Sequence, residues 1–294
     1  MFFKKLIVYQ FNNDSTINNL NNEILTKLSF TPCGPLDSIK QGFVSVTDDD
    51  LLKLDIQGHS LLKVRTESKI IPSSVIKKKT SERIEHLEQQ FGRKVTRSEK
   101  QTLKDEVIAD LLSVAFTKDQ YTYIWINHQD QFIAIETSSF KVAENILSLI
   151  RKELGQLSLT PLHTEKPVAP FFKGWVLNDS SPTNFFILND AVLTDPLESN
   201  GKIKLIDENL TADEVKSYLN SGREIKSLSF SYQQRTVFTV NTELVFSKIN
   251  YSSEMLDENC DISPDDKAKR IEADFYLVAN ELTKLINDFT RSLQ

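Results

Sequence analysis

Apolar residues alternate with polar ones through "KKLIVYQF", residues 4–11, and the two-residue period predicts a strand. The period then changes. Ile17, Leu20, Ile24 and Leu28 recur at helical spacing, with Ser15 as an N-cap, so residues 15–30 read as a helix. "TPCGPLDSIKQG" is turn chemistry, and "GFVSV" and "SLLKVRTESKII" alternate again as strands separated by the acidic loop "TDDD". Ile76, Thr80, Ile84, Leu87 and Phe91 then form one helical stripe, capped by Ser73 or Ser74 and closed by Gly92 in the left-handed position. Thr96 and Glu99 make a capping box for a second helix whose stripe is Leu103, Val107, Leu111 and Ala115. The two helices are expected to form a hairpin with "GRKVT" at its tip.

Beyond it, "YTYIWINHQDQFIAIET" predicts a β-hairpin turning near residues 128–130, and "SFKVAENILSLIRKELG" an amphipathic helix ending at Gly155. "LSLTPLHTEKPVAP" reads as a proline-spaced connector and "NDSSPTN", residues 178–184, as a linker. "FFILND" and "GKIKLID" predict strands. Thr211 and Glu214 suggest a capping box for a short helix stopped by Gly222. "EIKSLSFSYQQRTVFTV" and "TELVFSKINY" predict hairpin strands, with Gln233, Gln234 and Arg235 inside one of them. A long last helix is expected from Ser263, with Pro264 in its first turn. Helices mingle with strand pairs, so the fold class is α+β. The expected division is a central α+β unit of residues 1–72 plus 119–178, a helical hairpin inserted at 73–118, and a C-terminal α+β unit at 179–294.

The composition, with 39% hydrophobic and 26% charged residues, belongs to a folded chain, and no apolar run reaches the roughly 20 residues of a membrane helix. No signal peptide is expected. Two distant cysteines, Cys33 and Cys260, give neither a disulfide framework nor a zinc pattern, which suits a cytosolic setting. Four scattered histidines lack metal-site spacing, so no metal or other cofactor is expected.

Charge changes the picture. Residues 63–106 hold twelve Lys and Arg against seven Asp and Glu, a net +5 that leaves −11 for the rest of a chain of formal charge −6. Arg97 falls at a predicted helix start, where the dipole disfavours a cation and a phosphate is welcome. The basic hairpin is therefore either a polyanion contact or a solvated charged surface, with Lys77, Lys78 and Lys79 adding to one end. Arg235 offers a further phosphate contact, or a polar cross-strand pair. One nuclease-like set exists, Asp213 with Glu224 and Lys226, which could hold Mg²⁺. Acidic-x-Lys triplets nevertheless occur four times, beginning at Glu67, Glu214, Glu224 and Asp265, and Asp213 lies where a helix wants a carboxylate. With only 8 glycines, a phosphate cradle is not expected.

The stretches "FKKLIVY", "FTPCG", "KIIPSSVIK", "SEKQTLKDEV", "YQQR" and "EADF", in that order along nearly the whole chain, resemble the RdgC family of recombination-associated, nucleoid DNA-binding proteins. The resemblance implies a ring-shaped homodimer around a positively lined hole, binding double-stranded DNA without sequence preference. It implies no enzyme activity, restraint of the RecA recombinase by occupation of DNA, and residence in the cytoplasm at the nucleoid. The family's basic positions correspond here to Lys77, Arg83, Arg93, Lys94, Arg97, Lys100, Lys104 and Lys204. The chain departs from the family at "TKDQ", residues 117–120, expected to be a tip where relatives can carry a ring-closing aromatic. It also departs at the acidic loop "IDEN", residues 206–209. A protein-interaction scaffold is the remaining alternative.

Overall fold

A computed structural model describes residues 2–11, 15–47, 51–195, 201–260, 262–263 and 266–294. "TDDD" beyond Thr47, Pro264 and Asp265 lie outside them. The order begins β1 (Ile7–Phe11), a single 3-10 turn (Ser15–Asn19), α1 (Asn22–Lys27), β2 (Ile39–Val44), β3 (Lys53–Ile56) and β4 (His59–Ile70). Two long helices follow, α2 (Ser73–Phe91) and α3 (Arg97–Val114), then β5 (Phe116–Asn127), β6 (Phe132–Ile135), α4 (Phe140–Leu154), β7 (Leu159–Pro161) and α5 (Val168–Leu177). The remainder is β8 (Phe185–Thr194), β9 (Lys202–Leu205), α6 (Asp213–Asn220), β10 (Glu224–Tyr232), β11 (Thr236–Asn241), β12 (Phe246–Tyr251), α7 (Ser253–Asp257) and α8 (Lys267–Ser292). The α+β class holds, with two sheets of antiparallel neighbours.

The first sheet runs β2-β4-β5-β6-β1-β7, with β3 beside the His59–Leu62 end of β4. Its central part is buried on both faces, which is why "YIWI" and "FIAI" are continuously apolar, whereas residues 116–121 of β5 are exposed. Ile7, Leu62, Ile124, Ile133 and Ile135 meet Ala143, Ile146, Leu147 and Ile150 of α4 on one face. Leu61, Trp125, Phe132 and Ala134 enter the other core, shared with the second sheet and α8. Gly42 of β2 passes so close to the Phe30 backbone that a Cβ there would strike its Cα and N.

The second sheet runs β12-β11-β10-β8-β9. Leu6 and Phe246 exchange backbone hydrogen bonds of 2.8 and 3.0 Å, joining the sheets. Phe289 of α8 seals the core between them, its ring 5.4 Å from Phe185 and Phe230, 5.9 Å from Phe238 and 6.0 Å from Phe246. Among the described residues, helices α5, α6 and α8 cover this face. Ser227, Ser229, Thr239 and Ser247 line a recess on the opposite face.

Several local expectations are corrected. Residues 15–30 are not one helix: the 3-10 turn ends at Asn19, and Asn21 caps α1 by accepting from Ile24 N at 3.0 Å. Neither Ser73 nor Ser74 caps α2; Pro72 precedes it and Ser73 is its first residue. Thr211 and Glu214 make no capping box, because Thr211 donates to Asn209 at 2.7 Å while Ala212 occupies the cap position. Asp266, rather than Ser263, caps α8. The supposed proline connector contains β7 and α5; Pro170 lies in the first turn of α5, where its missing N–H has no helical partner to lose. Gln233 and Gln234 are turn residues with φ of 48° and 59°, not strand residues.

Candidate nucleic-acid interface

The two long helices leave the body as an arm between β4 and β5, and the capping box sets its far end. Thr96 Oγ1 accepts from Glu99 N, and the Glu99 carboxylate accepts from Thr96 N at 2.8 Å. Gly92 terminates α2 with φ 62°, the left-handed position that a side chain disfavours. The arm has almost no core of its own: α2 buries no residue and α3 buries only Val107. The apolar stripes read from the sequence meet at this seam, half-buried, with Phe91 left 61% exposed at the tip.

Its charges divide by side. On α3, helical spacing places Glu99, Glu106 and Asp110 along one flank and Arg97, Lys100 and Lys104 along the other. The acidic flank is spent on arginines. Arg93 makes a two-pronged contact with Glu99, at 2.6 and 3.0 Å, and Arg83 of α2 pairs with Asp110 and Glu106. Arg93 and the Thr96 donors together pull the Glu99 carboxyl down to about 2, and Glu99 in turn raises the Arg93 guanidinium. Lys79 pairs with Glu82 at 3.0 Å.

The other flank has no such neutralisation. The side chains of Lys77, Arg97, Lys100 and Lys104 are exposed and, among the described residues, make no hydrogen bond or ion pair. Lys77 and Lys104 line one recess between the two helices, with Ser73 and Ser81, and no carboxylate shares it. Arg97 to Lys104 spans about 10 Å of helix at 1.5 Å per residue. Lys94, also exposed and unpaired, sits in the turn at the tip.

The remaining candidates lie elsewhere. Lys204, exposed and unpaired, shares the recess over the open face of the second sheet with Lys248, which sequence reading did not single out. Lys248 is 3.4 Å from Asp190. The Asp190 carboxyl is held below its usual range, first by the Asp207 N–H at 3.0 Å and then by Lys248. The acidic loop at residues 206–209 is thereby tied to β8 beside Lys204. Arg235 is engaged by Glu258 at 2.6 Å and Glu281 at 3.4 Å. A lone lysine in a strand carries no signal for a surface; Lys248 becomes visible only when β12 is placed in its sheet.

"TKDQ" is not a tip. Residues 117–120 continue β5, paired with β4 from Lys69 to Thr66. Asp119 accepts two hydrogen bonds of 2.8 Å from Arg65, whose guanidinium lies 4.3 Å over the Phe30 ring. Nor do Asp213, Glu224 and Lys226 assemble. Val215 and Leu219 of α6 enter the same core as Ile225, whereas Glu224 and Lys226 flank Ile225 and strand alternation turns them away from it. Among the described residues no cluster of three His, Cys, Asp or Glu could hold a metal ion. His59 accepts from Trp125 Nε1 at 3.2 Å, and His128 lies between Ser60 and Asn18 at 2.7 and 3.0 Å. Among the described residues neither Cys33 nor Cys260 forms a disulfide. Among the described residues no helix is long and apolar enough to cross a membrane.

A family model described as "Putative exonuclease, RdgC" matches residues 1–294. The chain is 33% identical over 296 residues to the recombination-associated protein RdgC of Yersinia pestis (strain Pestoides F), covering all of this chain and 98% of that one. The protein of the same name from Yersinia enterocolitica is similar to the same extent. The match takes in the residues of both sheets, the arm and α8, and at this coverage and identity the chain belongs to the RdgC family.

Proposed function

We propose that this protein binds double-stranded DNA without sequence preference, through the unneutralised flank of its arm. The observation that carries this reading is the division of charge across the arm. Glu99, Glu106 and Asp110 of α3 are taken up on one side by Arg83 and Arg93, and Asp105 accepts from Gln101, leaving Lys77, Arg97, Lys100 and Lys104 on the other. Four such cations attract a phosphate backbone and release its condensed counterions. Phosphate contacts fix position and carry no sequence information. No aromatic residue lies between Arg97 and Lys104, where a stacking platform for single strands requires several, and the exposed Phe91 stands alone at the tip, so the duplex is the better fit.

Lys204 and Lys248 extend the contact to the second sheet. A homodimer bringing two such surfaces round one duplex gives the ring that the family resemblance implies, held at the nucleoid. Occupation of DNA by that ring limits the access of RecA, which accords with the recombination-associated name of the relatives. The protein acts by binding and not by catalysis.

A salt-titrated gel shift with plasmid and Mg²⁺, beside a measurement of solution mass, tests each part. Expected are retarded, intact plasmid, a dimer mass, and an affinity whose logarithm falls with log salt at about −0.9 per neutralised phosphate. Nicked or shortened DNA returns the reading to a nuclease, in keeping with the exonuclease description of the family model. No shift at low salt returns it to a protein scaffold.

A further inference from the structure

The arm stands on a narrow root. β4 ends at Ile70 and α2 begins at Ser73; α3 ends at Val114 and β5 begins at Phe116. The apolar side chains at this root do not pack it down, since Val114 is 77% and Phe116 86% exposed. What ties the arm to the body there is Lys69. Its ammonium donates to the carbonyl of Leu112 in the last turn of α3 at 2.7 Å, to Gly34 at 2.7 Å and to Pro35 at 2.9 Å. All three donors of the lysine are used. A cation at that end of α3 also meets the negative pole of the helix dipole and carbonyls left over by the helix.

The other side of the clamp is itself fixed. Arg65, Glu67 and Lys69 alternate along β4 and share one face. Glu67 accepts from Cys33 N, and Asp37 accepts from Gly34 N at 2.9 Å, so the turn at residues 33–37 is built onto the strand that carries Lys69. Among the described residues no other side chain forms a hydrogen bond between body and arm.

We infer that Lys69 is a positioning residue. By pinning the end of α3 to the turn at residues 33–37, it fixes the direction of the arm and with it the line of Lys77, Arg97, Lys100 and Lys104. Lys69 spends its donors on carbonyls and does not itself meet phosphate. The inference rests on the DNA-binding reading above for its consequence, though the clamp exists without it. A freed arm carries the same cations but must be ordered on each binding event.

Lys69→Met and Lys69→Arg are compared with the wild type by two measurements. Hydrogen–deuterium exchange of residues 108–117 and 33–37, without DNA, reads the clamp. Duplex affinity across a salt series reads its consequence. For Lys69→Met, exchange accelerates in both segments and affinity falls about three- to tenfold, the cost of ordering one or two further groups. The slope of log affinity against log salt stays as in the wild type. Lys69→Arg, which can still donate to carbonyls, recovers most of both. A slope reduced by about 0.9 identifies a direct phosphate contact and overturns the inference; so does unchanged exchange or unchanged affinity. Should Lys69→Met not fold, Lys69→Gln, with its amide donors, replaces it. If the wild type itself binds no duplex, the DNA-binding reading falls while the exchange data still decide the clamp.

Discussion

Leu61 and Trp125 on one face of the first sheet, and Leu62 and Ile124 on the other, are fully buried, whereas α2 and α3 together bury only Val107. Body and arm are thus made of one chain on two principles. In the body each large side chain is held by many neighbours, and stability is concentrated there. In the arm the apolar seam is thin and the surface is nearly all that the helices present. Substitutions should therefore separate: those in the body change folding, and those on the arm change binding.

The largest effect that can test this separation is Phe289→Ala, which opens a cavity where α8 meets five other phenylalanine rings. It should lower unfolding free energy by about 3–5 kcal/mol in a denaturant titration. A loss under about 1 kcal/mol would mean that the body is no better packed than the arm. Next comes reversal of the open flank. Changing Lys77, Arg97, Lys100 and Lys104 together to Glu should weaken duplex binding on the order of 10³-fold near 0.1 M salt, with an unchanged thermal midpoint. Arg83→Gln, on the neutralised flank, is the control and should leave affinity within about twofold. Equal losses from both flanks would erase the distinction on which the proposed function rests.

Gly42→Ala is smaller. The added methyl meets backbone at Phe30 and should cost about 1–3 kcal/mol of stability while leaving DNA affinity of the folded protein intact. Smallest is the pH response of the arm tip. The folded Glu99 carboxyl sits at about 2, below its ordinary 4.5, so the stabilisation it brings is complete above about pH 4.5. It is lost as pH falls towards 2. The protection of residues 96–100 in the wild type, relative to Glu99→Gln, should be full at neutral pH and narrow below about 4.5. A gap that widens on acidification would show that the Arg93–Glu99 pair does not hold the tip.

Strands β1, β4, β5 and β6 of the first sheet and the helices of the arm were legible in sequence because their periods are strong and the caps at Gly92, Thr96 and Glu99 are local, whereas β3 and β7, of four and three residues, are too short to show a period. Other features escaped for physical reasons. α5 hides behind Pro167 and Pro170, which read as breakers yet occupy the cap and first turn, where no helical hydrogen bond is lost. The turn at Gln233–Gln234 adopts left-handed conformations without the Gly or Asn that normally announces them. The basic character of the arm was readable, but its division was not. Whether Arg83 faces Asp110 or solvent depends on how two helices are rotated against each other, and a one-dimensional charge count cannot contain that. Lys69 escaped because its three acceptors come from two stretches, Gly34–Pro35 and Leu112, each more than thirty residues away from it.

The bridge between Leu6 and Phe246, with α8 wedged between the sheets, also orders events during synthesis. A strand made early cannot complete its edge, nor can the shared core close, until a partner some 240 residues later and the helix beyond it have left the ribosome. The arm needs only its own neighbours and can form as it emerges. A nascent chain would therefore display a finished cationic arm on an unfinished body. That makes the interval before α8 arrives the stage at which this protein is most exposed to chaperones and to its own kind.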